Sequence, residues 1–269
     1  DQCIDVETLL DFAGDNLEAG SRGREIAVRT LAAWLRWAVD KNYLDTQRWT
    51  PPAEKSQKIK DFIGVKLGPR KEGIPLYDEE ILKVIEEIEK INTPASKKWA
   101  YVVKLISCYG LRPHEVQFLS VETIGGQKNV YCSYQKRSGA GITDKRELFG
   151  LHPEWEQQWD LIRLIETQEI PFPTFSYGVA EALRKYLIKP RIEGDSYFKK
   201  LKKKRNVTPY SFRHGWAWRV HTDPKYSNKI NTRVAASLMG HSHAVHLEYY
   251  GNWTPKGSIR SSLNDCLLY

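Results

Sequence analysis

Two arginines sit inside short polar boxes. Arg112 lies in Tyr109-Gly110-Leu111-Arg112-Pro113-His114-Glu115, and Arg213 in Thr208-Pro209-Tyr210-Ser211-Phe212-Arg213-His214. Further on come Leu238-Met239-Gly240-His241-Ser242-His243 and Glu248-Tyr249-Tyr250-Gly251-Asn252-Trp253. A guanidinium keeps its charge at any ordinary pH, and its planar fork matches two phosphate oxygens. Glu115 comes one helical turn after Arg112 and can hold that guanidinium in place. Taken singly, either arginine reads equally well as half of a structural ion pair. His241, His243 and His246 invite a metal, but there is no His-Glu-x-x-His pattern and no acidic third ligand. The expectation is therefore no metal and no cofactor.

The two arginine boxes lie about a hundred residues apart (213 − 112 = 101), and Tyr250 stands nine residues after His241 (250 − 241 = 9). Together and in this order they resemble the catalytic domain of the tyrosine recombinases, the phage-type integrases. The resemblance covers Asp78 to Trp253 and is nearest in style to cyanobacterial integrases. It implies a site-specific recombinase or integrase in which a tyrosine attacks a DNA phosphate, forms a 3′-phosphotyrosyl link and releases a 5′-hydroxyl. Arg112 and Arg213 would clamp the phosphate as negative charge builds on it. Glu115 and His214 would support them, the latter as a buried, hydrogen-bonded histidine. His241 would donate to the phosphate. Lys136, or failing it Lys145 across the hairpin loop, would protonate the leaving oxygen. The nine-residue spacing selects Tyr250 over Tyr249 as nucleophile, since adjacent helical residues point about 100° apart. One departure stands out: Tyr210 occupies the position where the family usually has histidine, and a phenol is a poorer base than imidazole at neutral pH. That variant keeps a telomere resolvase open, and a non-catalytic DNA-binding relative is the other alternative.

These residues need elements to hold them. The expected fold class is mainly α with a small antiparallel β-sheet. It consists of a tyrosine recombinase catalytic domain over 76–269, preceded by a helical core-binding clamp over 1–50 and a basic linker over 51–75. In the first part Val28, Leu31, Leu35 and Val39 make a helical stripe, widened by Trp34 and Ala38. Arg22, Arg24, Arg29, Arg36 and Lys41 occupy the opposite face. Pro51-Pro52 breaks any helix, and Gly64, Gly68 and Gly73 keep the rest of the linker irregular. Asp78 is placed to cap a helix with a stripe of Ile81, Val84, Ile85, Ile88 and Ile91. A second helix spans roughly Lys97 to Tyr109 and is capped by Gly110. Another starts at Arg112 and runs to Leu119. Val130–Tyr134 and Glu147–Leu151 are rich in strand formers and predict an antiparallel hairpin. Pro153–Glu169 and Phe175–Leu187 read as helices.

A net charge of +8 over 269 residues suits a polyanion, either nucleic acid or an anionic membrane surface. No apolar run approaches the roughly 20 residues of a bilayer span. Lys199, Lys200, Lys202, Lys203, Lys204 and Arg205 form a basic run just before the second arginine box, a candidate phosphate-contact site. The four cysteines, Cys3, Cys108, Cys132 and Cys266, include no Cys-x-x-Cys pair, so free thiols in a reducing cytoplasm are expected. No leader is visible at Asp1, and the absent initiator methionine suggests a trimmed chain. The implied partner is double-stranded DNA, with four copies holding two duplexes. The implied location is the bacterial cytoplasm, on the nucleoid. The apolar tail ending Cys266-Leu267-Leu268-Tyr269 is expected to dock on a neighbouring protomer.

Overall fold

The computed structural model describes residues 5–65, 73–135, 137–138, 141–142, 145–176, 178–191, 194–227 and 229–253. It divides into two compact units, Asp1–Lys71 and Glu72–Tyr269.

In the first unit, α1 (Val6–Asp15) and α2 (Arg22–Asp40) are each started by a side-chain cap, from Asp5 and Ser21. A short α3 (Thr46–Trp49) and α4 (Gln57–Ile63) come next. The core is Leu10, Val28, Ala32 and Ile59. Ala32, not Trp34, widens the stripe on α2, and Trp34 is 54% exposed. Within the expected irregular linker over 51–75, residues 57–63 are helical, and 66–72 lie outside the described residues. A seven-residue helix is marginal alone. Ser56 caps α4, however, and Ile59 is fully buried, which contributes about 1.5–3 kcal/mol. Pro51-Pro52 therefore separates α3 from α4 without preventing α4 from forming.

The second unit opens with α5 (Asp78–Glu89) and α6 (Pro94–Tyr109). Their apolar faces meet through Ile81, Val84, Ile85 and Ile88 on one side and Val102, Leu105 and Ile106 on the other. Asp78 is the first residue of α5, and the cap is Tyr77, whose N–H donates to Glu80 Oε2 at 3.0 Å. The helix expected from Arg112 to Leu119 is instead a 3₁₀ turn, Pro113–Phe118, that leads into a strand. The cause is Pro113: a residue before proline is pushed out of the α region, and Arg112 sits at φ −69°, ψ 145°.

The sheet has three antiparallel strands in the order β1 (Leu119–Ile124), β2 (Gln127–Cys132), then a later strand. β1 and β2 turn over at Gly125-Gly126, with Leu119 opposite Cys132. Two short strands, β3 (Arg137–Ser138) and β4 (Gly141–Ile142), pair with each other. The third strand of the main sheet is β5 (Arg146–Glu147), which places Arg146 opposite Cys132. The expected hairpin is thus real but short, and the longer pairing of β2 is with β1, a strand the sequence signals do not mark.

The helix expected over 153–169 is two, α7 (Pro153–Gln158) and α8 (Leu161–Thr167), split at Asp160 with φ 51°. Then come α9 (Val179–Leu187), α10 (Tyr197–Arg205), α11 (Tyr210–Thr222), α12 (Pro224–Ser227), α13 (Thr232–Met239) and α14 (His243–Tyr250), ending in a 3₁₀ turn over Gly251–Trp253. α11 is buried on nearly all sides, with Phe212, Arg213, Trp216, Val220 and His221 all inside. A helix buried all round belongs in the core, and α11 joins the first apolar cluster, through Phe212, to the second, through Trp216 and Val220. No described helix is long and apolar enough to cross a membrane.

Candidate active site

Three guanidiniums converge on the C-terminal end of α13. Arg146 Nε donates to the carbonyl of Leu238 at 3.1 Å, Arg213 Nη2 to Met239 at 2.6 Å, and Arg112 Nη2 to Gly240 at 2.9 Å. These are helix-end carbonyls with no intrahelical partner, at the negative end of the helix dipole, so cations are favoured there. Gly240 allows the arrangement twice over. Its φ is 66°, and a Cβ would lie 2.7 Å from the Arg146 guanidinium.

Glu115 binds the cluster from below. It is fully buried and accepts from Arg112 Nη1 and from Arg146 Nη2, both at 2.7 Å, with Arg213 Nη1 at 3.7 Å. Burial alone would raise its pKa, but the charges of Arg213, Arg146 and Arg112 outweigh that and hold it below the usual carboxylate value. Arg213 also donates Nη1 to Gly110 O at 2.7 Å, which ties α11 to the end of α6. Burial, with Arg112 nearby, brings Arg213 down to about 10, so it remains charged at neutral pH. Three guanidiniums against one carboxylate leave a surplus of two positive charges (3 − 1 = 2). Arg112 and Arg213 each engage two guanidinium nitrogens in the hydrogen bonds above, and each guanidinium has further N–H donors. The cluster is built to receive an anion.

The other half of the site is neutral. Tyr250 Oη lies 3.0 Å from His214 Nδ1. His241 Nε2 is 2.8 Å from His246 Nδ1, and His246 Nε2 is 2.9 Å from His221 Nε2. Burial, aided by neighbouring positive charge, lowers His241 to about 2 and His214 and His246 to about 4, and burial alone lowers His221. All four are therefore uncharged at neutral pH. The rings of His214, His221, His241 and His246 surround the Tyr250 ring at centroid distances of 5.0–6.4 Å. Because His246 uses both ring nitrogens toward other imidazoles, the three linked histidines form a hydrogen-bonded chain. Among the described residues no group of three or more His, Cys, Asp or Glu is placed to hold a metal ion. Tyr250 is 3% exposed, and burial raises its pKa while the Arg213 charge pulls against that. Its phenol is protonated at neutral pH.

The structure thus brings together Arg112, Glu115, Arg213, His214, His241 and Tyr250. Tyr210 stands apart: it is 37% exposed on the first turn of α11 and makes no hydrogen bond or ring contact among the described residues. Lys136 lies outside the described residues. Lys145 pairs with Glu122 and sits over the Tyr131 ring at 4.7 Å. The basic run lies on α10. Within it Lys199 and Lys203 pair with Asp195 at 2.7 Å, and Arg205 pairs with Glu80. Lys200, Lys202 and Lys204 have no such partner among the described residues, and Lys200 and Lys204 are exposed.

Arg146, His221 and His246 join the site although the sequence motifs do not assign them to it. A period-2 signal exists for Arg146, which shares a strand face with buried Leu148. His246 lies one turn before Tyr250, and His221 about two turns after His214.

No protein-family profile matches the chain. A curated protein, Excisase A of Nostoc sp. strain PCC 7120, is 22% identical over 202 residues, covering 72% of this chain and 39% of that protein. The chain therefore spans about two-fifths of the length of that relative. Among solved structures, the Tn1549 transposon integrase in complex with a circular intermediate DNA matches over 97% of this chain and 85% of that one, at 14% identity and TM-score 0.53. XerH site-specific recombinase bound to a palindromic difH substrate matches over 97% and 72%, at 16% identity and TM-score 0.51. At such identities the likeness establishes the fold: the chain has the tyrosine recombinase fold, mainly helical with a small antiparallel sheet.

Proposed function

We propose that the chain is a site-specific DNA recombinase or integrase that cleaves and rejoins strands through a 3′-phosphotyrosyl intermediate on Tyr250. The observation that carries this reading is the phenol of Tyr250 beside a buried arginine cluster with two positive charges in excess. A phosphodiester held by Arg112 and Arg213 meets donors that are already fixed by Glu115 and by α13, so little reorganisation accompanies charge build-up on the phosphorane. With His246 Nδ1 donating to His241 Nε2, His241 carries its proton on Nδ1 and can donate from there to the phosphate. Lys136 is the proposed proton donor to the leaving 5′-oxygen.

DNA as partner is supported by the fold, since both matched structures are DNA complexes. The first unit would add its own contacts to the duplex, and Lys200, Lys202 and Lys204 would contact phosphates. Four copies on two duplexes would allow strand exchange, with the tail beyond Trp253 as the linking segment; that tail lies outside the described residues. Incubating the protein with DNA flanking its own gene tests the reading. Covalent protein–DNA species and recombinant products are expected. DNA binding without either would favour a non-catalytic DNA-binding relative.

A further inference from the structure

Attack by Tyr250 releases a proton, and the phenol is buried with a raised pKa. Something must take that proton as the O–P bond forms. The position that the resemblance assigns to a histidine holds Tyr210, which is exposed and makes no hydrogen bond to the site among the described residues. One imidazole nitrogen does reach the phenol oxygen: His214 Nδ1, at 3.0 Å. That distance is within reach of direct proton transfer.

We propose that His214 is the general base of the cleavage step and the general acid of religation. The inference rests on the reading of Tyr250 as nucleophile. In cleavage the Tyr250 O–H bond breaks and its proton passes to Nδ1. The phenol oxygen bonds to phosphorus, the P–O5′ bond breaks, and the 5′-oxygen leaves with a proton from a separate donor. Religation runs in reverse: the 5′-hydroxyl attacks, and His214 returns its proton to the departing phenolate.

Three further observations fit. Gly73 packs on the imidazole so closely that a Cβ there would lie 2.6 Å from the ring, so the ring's place depends on a residue without a side chain. His214 rides on α11 directly after Arg213, so the base and one phosphate clamp move as one body. Among the described residues the charged and titratable groups acting on the ring are Arg213 on its own helix and Tyr250 on α14, while Gly73 brings none. Burial, with the Arg213 charge, keeps the imidazole unprotonated when no DNA is bound. A phosphate on Arg213 offsets that charge and raises the basicity of His214 when substrate arrives.

The experiment uses the full chain and a nicked duplex from DNA flanking its gene. The duplex is made with either oxygen or sulfur as the bridging 5′ atom at the phosphate that the parent attacks. Single-turnover formation of the covalent complex is read against pH. For His214→Gln the expectation is a loss of about 100-fold or more, with DNA binding retained. The acidic limb of the pH profile should disappear, and the loss should persist with the sulfur leaving group, which needs no proton donor. Added imidazole should restore cleavage to His214→Gly, a result that also shows the variant is folded. Cleavage by His214→Gln within threefold of the parent, or a loss erased by the sulfur substrate, would overturn the proposal. A parent that forms no covalent complex on any duplex overturns the recombinase reading itself, and this inference with it.

Discussion

The two halves of the site solve different problems with different chemistry. In the arginine half, charge is permanent, and each guanidinium is held by protein oxygens before any substrate arrives. In the histidine half no group is charged at neutral pH, and the hydrogen bonds run between groups that can each donate or accept. The first half can stabilise an anion without moving. The second can relocate a proton without separating charge far. The proposed strand transfer would need both, and α11 supplies one of each in consecutive residues, Arg213 and His214.

The largest predicted break in this contrast is at Glu115. Glu115→Gln leaves three buried or half-buried guanidiniums without their counter-charge and should cost about 3–5 kcal/mol, measured by urea unfolding. A loss under about 1 kcal/mol would mean that α13 alone holds the arginines.

Acid should separate the two halves in order. The histidines have folded pKa values below the ordinary 6.5. The unfolded chain therefore takes up protons first, and stability falls as pH drops below about 6.5, most steeply down to about 4, with His241 alone adding to the loss below that. Glu115 has a lowered folded value, so its contribution is complete above about 4.3 and is lost only as pH falls through that lower value. Unfolding free energy against pH should show both losses in the parent. Glu115→Gln should lack the lower one, and His246→Gln should have a smaller upper one. Coincident losses in all three proteins would contradict the division.

At the junction between the halves, Gly240→Ala should destabilise by about 1–2 kcal/mol, from positive φ and from displacing Arg146. Thermal melting checks this.

The smallest effects concern surface cations. Replacing Lys200, Lys202 and Lys204 by alanine should weaken DNA binding uniformly across sequences and lower the salt slope by about one for each phosphate no longer neutralised. Lys203→Ala, already paired with Asp195, should change it less. If about six phosphates are neutralised in all, affinity should fall on the order of a thousandfold between about 50 and 200 mM salt. Equal slopes in all variants would remove α10 from the DNA-contacting surface.

Most of the arginine half is legible in the sequence because Arg112 and Glu115 lie in one box and Arg213 in a second, whereas Arg146 joins them from β5 and belongs to neither box. The histidine chain is only partly legible: His241 stands in its own box with His246 five residues on, but His221 comes from α11 and meets His246 only through packing. The helix expected from Arg112 to Leu119 shows one signal overriding another: the three-residue spacing of Arg112 and Glu115 suits a helix, but Pro113 forces Arg112 into extended backbone. Similarly, Pro51-Pro52 reads as the start of a linker, while Ser56 and Ile59 already encode α4.

The proposed cleavage depends on which tyrosine attacks. Tyr250 faces His214 and the arginines, while its neighbour Tyr249 packs at the half-buried edge of the same cluster. The direct test is a nicked substrate that traps the covalent complex, read on a denaturing gel for the parent, Tyr250→Phe and Tyr249→Phe. The prediction is a trapped complex in the parent and in Tyr249→Phe, with none in Tyr250→Phe, although that variant still binds DNA. A complex that survives in Tyr250→Phe and vanishes in Tyr249→Phe would contradict it.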